Sequence, residues 1–149
     1  MPGGKLKLVE ADADAGYRLH EQIGFILRKA NQRHIAIFAR RIGDLTPPQF
    51  AALARLAEIG EASQNQLGAM VAMDAATIKG VIDRLKARGL VMLSAHREDR
   101  RRLVVSLSEE GKALIEKLLP LAERITAETL APLNGRETAA FLKLLAKLA

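Results

Sequence analysis

The chain has 149 residues, 49% of them hydrophobic and 27% charged, with a formal net charge of +6; this suits one domain, or one domain with appended oligomerisation helices, and suffices for a real core. The positive balance favours an anionic partner: nucleic acid, an acidic membrane surface or a phosphorylated ligand. The absence of cysteine excludes disulfides, thiolate catalysis, zinc ribbons and cysteine-based redox sensing. No apolar run approaches the roughly 18 residues that span a bilayer, so a soluble cytoplasmic protein with no membrane role is expected.

Residues 1–16 are small, polar and glycine-bearing and read as a flexible arm without the apolar core of a signal peptide. Residues 17–42 follow a helical pattern. Leu19, Ile23, Ile26, Leu27, Ala30, Ile37, Phe38 and Ile42 form one apolar stripe, and Gly43-Asp44 ends it. The polar side is cationic: Arg18, Arg28, Lys29, Arg33, Arg40 and Arg41 face Glu21 alone. Thr46, Pro47 and Gln49 give the next helix a capping box and a proline at its first position. Phe50, Leu53, Leu56 and Ala57 are its expected inner face, and Gly60 its stop. Ser63 and Gln66 form another capping box, opening a short helix with Leu67, Met70 and Val71 inward.

A tight turn at Ala72-Met73-Asp74 leads into a helix whose Ile78, Val81, Ile82 and Leu85 make one stripe. Asp74 is the expected N-cap, and Gly89 the left-handed residue past the end. Two short helices so closely joined match a helix-turn-helix. The apolar runs at 90–94 and 103–107 read as strands, and the HREDRRR between them is too charged to bury. The expected fold is mainly α with a small β component, a winged helix-turn-helix. Ser108 with Glu109 and Glu110 caps a long helix in which Leu114, Ile115, Leu118, Leu119, Ala122 and Ile125 share a face and Pro120 should cause a bend. Asn134 and Glu137 cap a last helix bearing Phe141, Leu144, Leu145 and Leu148 at helical spacing.

The terminal helices carry more apolar surface than a small winged module can cover. They are expected to intertwine in a two-fold homodimer, which would set paired recognition helices about one turn of DNA apart. The expected organisation is thus an arm at 1–16, a DNA-binding winged module at 46–111, and a helical dimerisation region formed by 17–45 and 112–149.

LTPPQFAALARL, SQNQLGAMVAMDAATIKGVIDRLKARGLV and EDRRRLVVSLSEEG occur in order and at the right spacing. Through them the chain resembles the MarR family of bacterial transcriptional regulators over nearly all its length after about Tyr17. The resemblance implies an obligate homodimer that binds pseudo-palindromic double-stranded DNA operators, usually as a repressor. It also implies release by a small molecule, often a phenolic or aromatic acid. The chain departs from the family at Gly80, where arginine is frequent, and at Lys79, where a small hydroxyl residue is frequent. Its wing carries His96-Arg97 where an acidic or proline-containing turn is common.

Arg101 stands where the resemblance implies an arginine in the minor groove, whose narrow A·T segments concentrate negative potential. Asp99 is expected to orient that guanidinium by a carboxylate fork. Arg97, Arg100 and Arg102 would neutralise phosphates. The plainer reading of HREDRRR alone is a solvated turn, and its place after a recognition helix argues against that. Ala75, Ala76 and Thr77 are small enough to approach base edges, and Lys79 can donate to guanine. The rival reading pairs Lys79 with Asp83 on an exposed helix face. Gly80 costs about 1 kcal/mol relative to alanine mid-helix, which close approach to DNA or packing would explain. Arg84 and Arg88 are either phosphate contacts or internal salt bridges. Gln64 and Asn65 are candidate phosphate donors.

The cationic side of the first helix is either a solvated face or an effector site. In the second case His34, Arg40 and Arg41, with Phe38 and Phe50 nearby, would hold an aromatic acid, a phenol or an aromatic acyl-CoA. The resemblance places the family's ligand pocket where these residues lie. Catalysis finds no support: His20, His34 and His96 lie in different elements, and no phosphate loop, dinucleotide fingerprint or zinc-ligand pair appears, so no cofactor or metal is expected. A ligand-independent basic DNA- or RNA-binding protein is the alternative. RNA reading is disfavoured because aromatics are only 3% and tryptophan is absent. A basic-helix protein docking to membranes or partners is a third reading.

Overall fold

The computed structural model describes residues 16–149 and divides the chain into two units, 1–33 and 34–149. The arm expected at 1–16 lies outside the described residues except for Gly16. Helix α1 is Ile23–Arg41, so the helix expected from residue 17 starts later. A single 3-10 turn, Leu19–Glu21, comes first, and Gln22 is extended at φ −85° and ψ 143°. Arg18 offers no capping side chain there; instead the Gln22 side chain donates to the Arg18 carbonyl at 3.1 Å. In the first unit Leu19, Ile23, Ile26 and Leu27 are exposed, and Lys29 sits over the Phe25 ring at 5.8 Å.

The second unit contains the core. Ile37, Phe38 and Ile42 are buried in it, as the apolar stripe requires. Helix α2 (Pro47–Ile59) has the expected capping box between Thr46 and Gln49 and ends at Gly60. Its inner face is Gln49, Ala52, Leu53 and Leu56; Ala57 is exposed, contrary to expectation, because the helix turns Ala52 inward instead. Helix α3 (Gln64–Met70) keeps the Ser63–Gln66 box and buries Leu67. Met70 points out and Val71 is half-buried, since a seven-residue helix has room for one inward turn. Helix α4 (Ala75–Ala87) buries all four stripe residues, Ile78, Val81, Ile82 and Leu85. Each fully buried Leu or Ile contributes about 1.5–3 kcal/mol of apolar transfer, and together with Leu53, Leu56, Leu67 and Val105 they form the centre of the core.

The sheet has three antiparallel strands rather than a lone hairpin. β2 (Val91–Ala95) and β3 (Leu103–Leu107) pair from Val91↔Leu107 to Ala95↔Leu103. The unexpected strand is β1 (Glu61–Ala62), which adds to the far edge of β3. Two residues between a helix stop and a capping box carry no periodicity to recognise. Helix α5 (Glu109–Leu130) runs 22 residues without ending at Pro120, and buries Ile115, Leu118 and Ile125 while Leu119 is exposed. Helix α6 (Gly135–Ala146) has the Asn134–Glu137 box but no buried residue; Phe141, Leu142, Leu144 and Leu148 are all exposed. Among the described residues no helix is long and apolar enough to cross a membrane.

One junction joins α4 to α5. Gly89 takes φ 71° past the end of α4. The Ser108 hydroxyl donates to the Gly89 carbonyl at 2.5 Å and accepts the Gly111 N–H at 3.0 Å, while the Ser108 N–H donates to the Leu90 carbonyl at 3.0 Å. A Cβ on Gly111 would overlap the Leu90 carbonyl oxygen, a backbone atom that cannot swing away. Gly111→Ala should therefore cost about 2–3 kcal/mol by overpacking, read as a lower urea midpoint at unchanged m-value.

Candidate nucleic-acid interface

The candidate recognition helix, α4, is set by two close approaches. Ala72 adopts φ 55°, a left-handed residue that turns the chain between α3 and α4. Gly68 lies against Ile78, with room for a Cβ only at 3.0 Å from Ile78 Cγ2 and 3.1 Å from the Met73 carbonyl. Asp74 caps the helix by accepting the Thr77 N–H at 2.7 Å. That bond holds the Asp74 carboxyl below the ordinary carboxylate range.

With its apolar stripe inside, α4 presents Ala75, Ala76, Thr77 and Lys79 to solvent. Lys79 pairs with Asp83 at 2.8 Å, so the rival reading of this face holds in the free protein. Gly80 is half-exposed, and nothing lies within 4 Å of where its Cβ would be. Packing among the described residues does not explain it. Asn65 is exposed and Gln64 half-buried at the start of α3.

The wing tip is a hydrogen-bonded turn. His96 N–H donates to the Arg102 carbonyl at 2.8 Å, and Arg102 N–H donates to the Asp99 carbonyl at 3.0 Å. Asp99 Oδ1 accepts the backbone N–H of Arg101 at 3.1 Å. The carboxylate shapes the turn rather than forking the Arg101 guanidinium, because the backbone donor two residues on is nearer at hand. Arg97, Arg100, Arg101 and Arg102 are all exposed, and none belongs to an ion pair among the described residues. Arg88 makes no salt bridge among the described residues. Its guanidinium donates to the Asp44 carbonyl at 2.7 Å, tying the end of α4 to the loop before α2. Arg84 lines the shallow concavity beside it, with Leu45 and Gln49.

A second cluster gathers where the last turns of α1 and α5 meet. Arg40 Nη2 reaches Glu128 Oε1 at 2.6 Å, and Arg41 Nη2 reaches Glu128 Oε2 at 2.7 Å. Arg41 Nε also donates to Oε2, at 2.8 Å. The Arg41 hydrogen bond, foremost, holds the Glu128 carboxyl below its usual range. About two turns back on α1, half-buried His34 lies with Nδ1 2.9 Å from Thr129 Oγ1. Phe38 is buried edge-to-face against Phe50, centroids 5.9 Å apart, and serves the core. Sequence reasoning missed Glu128. The signal available was an acid in the last turn of a helix with no basic residue there, at the end where the dipole disfavours it.

A family model for the MarR family matches residues 45–103, from just before α2 to the start of β3. The Pseudomonas putida HTH-type transcriptional repressor NicR is 45% identical over 134 residues, covering 89% of this chain and 85% of that protein. The chain belongs to the MarR family. A probable transcriptional regulator from Pseudomonas aeruginosa has 56% identity and a TM-score of 0.86, covering 89% of this chain and 100% of that one. The Bordetella bronchiseptica BpsR structure, from work on regulation of its DNA binding by 6-hydroxynicotinic acid, has 43% identity and a TM-score of 0.85 over 90% of this chain and 97% of its own. This MarR-family chain is thus a DNA-binding transcriptional regulator with a winged helix-turn-helix fold.

The Asp74 cap makes its helix start acid-sensitive. Because the folded pKa is lowered, the contribution is present above the unfolded pKa and lost as pH falls through the folded one. Asp74→Asn, which keeps an acceptor at the cap, should flatten that acid limb of stability, measured by chemical unfolding from neutral pH downward.

Proposed function

We propose that the chain is a homodimeric repressor that binds a pseudo-palindromic operator and is released by a small hydroxylated aromatic acid. The observation that carries the DNA half of the reading is the wing tip. Four exposed arginines, without acidic partners among the described residues, stand on a hydrogen-bonded turn in the same unit as a helix whose outer face is small. Phosphates are the fitting counter-charge for such a cluster, and Arg101 suits a narrow minor groove. Ala75, Ala76, Thr77, Lys79 and Gly80 would then approach base edges in the major groove. Gln64, Asn65, Arg84, Arg97, Arg100 and Arg102 would fix the register on phosphates. Arg88 and Asp99 support the interface from behind.

Residues 46–111 form the reading module in this proposal, and 17–45 with 112–149 the dimerisation region. The dimer is supported by apolar side chains exposed in each unit, Leu19, Ile23, Ile26 and Leu27 in one and Phe141, Leu142, Leu144 and Leu148 in the other. Faces of that kind are covered in a stable protein. The effector is supported by the similarity to BpsR, whose DNA binding is regulated by 6-hydroxynicotinic acid. The residues offered for it are Arg40 and Arg41 for the carboxylate and His34 for a polar ring substituent. Phe38 and Phe50 back the site from the core.

Arg101→Ala should weaken operator binding by about 1–2 kcal/mol and lower the slope of log K against log salt by about 1. An operator footprint unchanged in that variant would refute the reading. Gly80→Ala separates stability from recognition. It should raise fold stability by about 0.5–1 kcal/mol, as no atom opposes the methyl, yet reduce operator affinity several-fold, by chemical unfolding and fluorescence anisotropy on one preparation.

A further inference from the structure

Glu128 is an acid in an unfavourable place. It lies in the last turn of α5, where unsatisfied carbonyls make the helix end negative, and no basic residue of that turn offsets it. What holds it is the arginine pair at the end of α1, each guanidinium taking one carboxylate oxygen. The arginines are well placed for an anion without it. They occupy the negative end of their own helix and present a two-sided fork that matches a carboxylate. The cluster is open as well: the side chains of Arg40, Arg41 and Glu128 retain 63%, 34% and 33% of their exposure. A carboxylate held at the wrong helix end, by partners that would equally hold another carboxylate, is a local conflict of the kind found at functional sites.

We propose that Glu128 is a built-in competitor for the effector, occupying on the Arg40–Arg41 pair the position that the ligand's carboxylate takes. Effector binding is then the exchange of one carboxylate for another. This rests on the reading that these arginines hold an aromatic acid. The exchange leaves the charge at the arginines unchanged, so ligand charge alone gives little net gain. Discrimination falls to the ring and its hydroxyl against His34 and Thr129, whose side chains lie 2.9 Å apart, Thr129 being the residue after Glu128 on α5. Displaced, Glu128 gives up the arginine pair, and the last turn of α5 loses its two ion pairs to the end of α1. The other end of α5 is fastened to the exit of the recognition helix through Ser108 and Gly111. Release at one end of one helix is therefore felt where DNA is read.

The test is calorimetric titration of the full chain with 6-hydroxynicotinate in wild type, Glu128→Gln, Arg40→Ala, Arg41→Ala and the Glu128→Gln/Arg41→Ala double variant. Glu128→Gln should bind about tenfold tighter, since the competitor is gone; Arg40→Ala and Arg41→Ala should bind at least tenfold weaker. The gain from Glu128→Gln should vanish when Arg41 is absent. A purely structural Glu128 gives the opposite sign, looser binding in Glu128→Gln, so a partly destabilised variant does not confuse the result. Glu128→Asp, a carboxylate too short to span both arginines, should fall between wild type and Glu128→Gln. Equal or weaker binding by Glu128→Gln, with loss in the arginine variants, overturns the exchange and leaves the ligand site standing. Wild-type affinity in both arginine variants, or no binding by any form, overturns the ligand site and the exchange with it.

Discussion

The rest of the molecule depends on the fastening between Gly89-Leu90 and Ser108-Gly111. The wing is an excursion from that point: the chain leaves at Leu90, runs out through β2 and the arginine turn, returns along β3, and is locked back at Ser108. A hydroxyl that donates to one carbonyl while accepting an amide closes the loop with two bonds from one atom. The missing side chain at Gly111 lets the backbones touch. The wing and the recognition helix thereby keep a fixed relation to α5, and α5, at 22 residues and about 33 Å, carries that relation to Glu128.

The helices of the second unit were legible because their signals are local. Capping boxes at Thr46, Ser63 and Asn134 and the Asp74 and Ser108 caps are all present where side-chain chemistry required them. The stripe of α4 is the clearest case, four apolar residues at helical spacing and all buried. The misses fall where the deciding partner is far along the chain. β1 exists only because β3 arrives to pair with it. Arg88 found a carbonyl 44 positions away rather than a carboxylate. Ala57 and Met70 are apolar residues at the ends of short helices, where the turn left over faces outward.

The candidate sites divide in the same way. The wing arginines could be read from the sequence because a run of charge between two apolar strands has nowhere to go but solvent. Asp99 was assigned the wrong partner atom, since sequence shows which groups are neighbours but not which donor is within reach. Glu128 was missed because its meaning comes from two arginines 87 and 88 residues earlier. An excess of positive charge on one helix looked unanswered until a second helix supplied the answer.

The Lys79–Asp83 pair has a consequence for how such a protein would find its target. The first turn of α4 carries no charge, and the lysine that follows is already engaged by its own helix. In the proposed complex the long-range pull on a duplex would come mostly from the wing arginines, with Arg84, and it would be the same for every sequence. A genome-wide search would run on a tethered arginine loop sliding along sugar–phosphate rails. In that reading the helix face would stay electrically quiet until a matching site offered Lys79 a better partner than Asp83, so random DNA would draw the molecule in without trapping it.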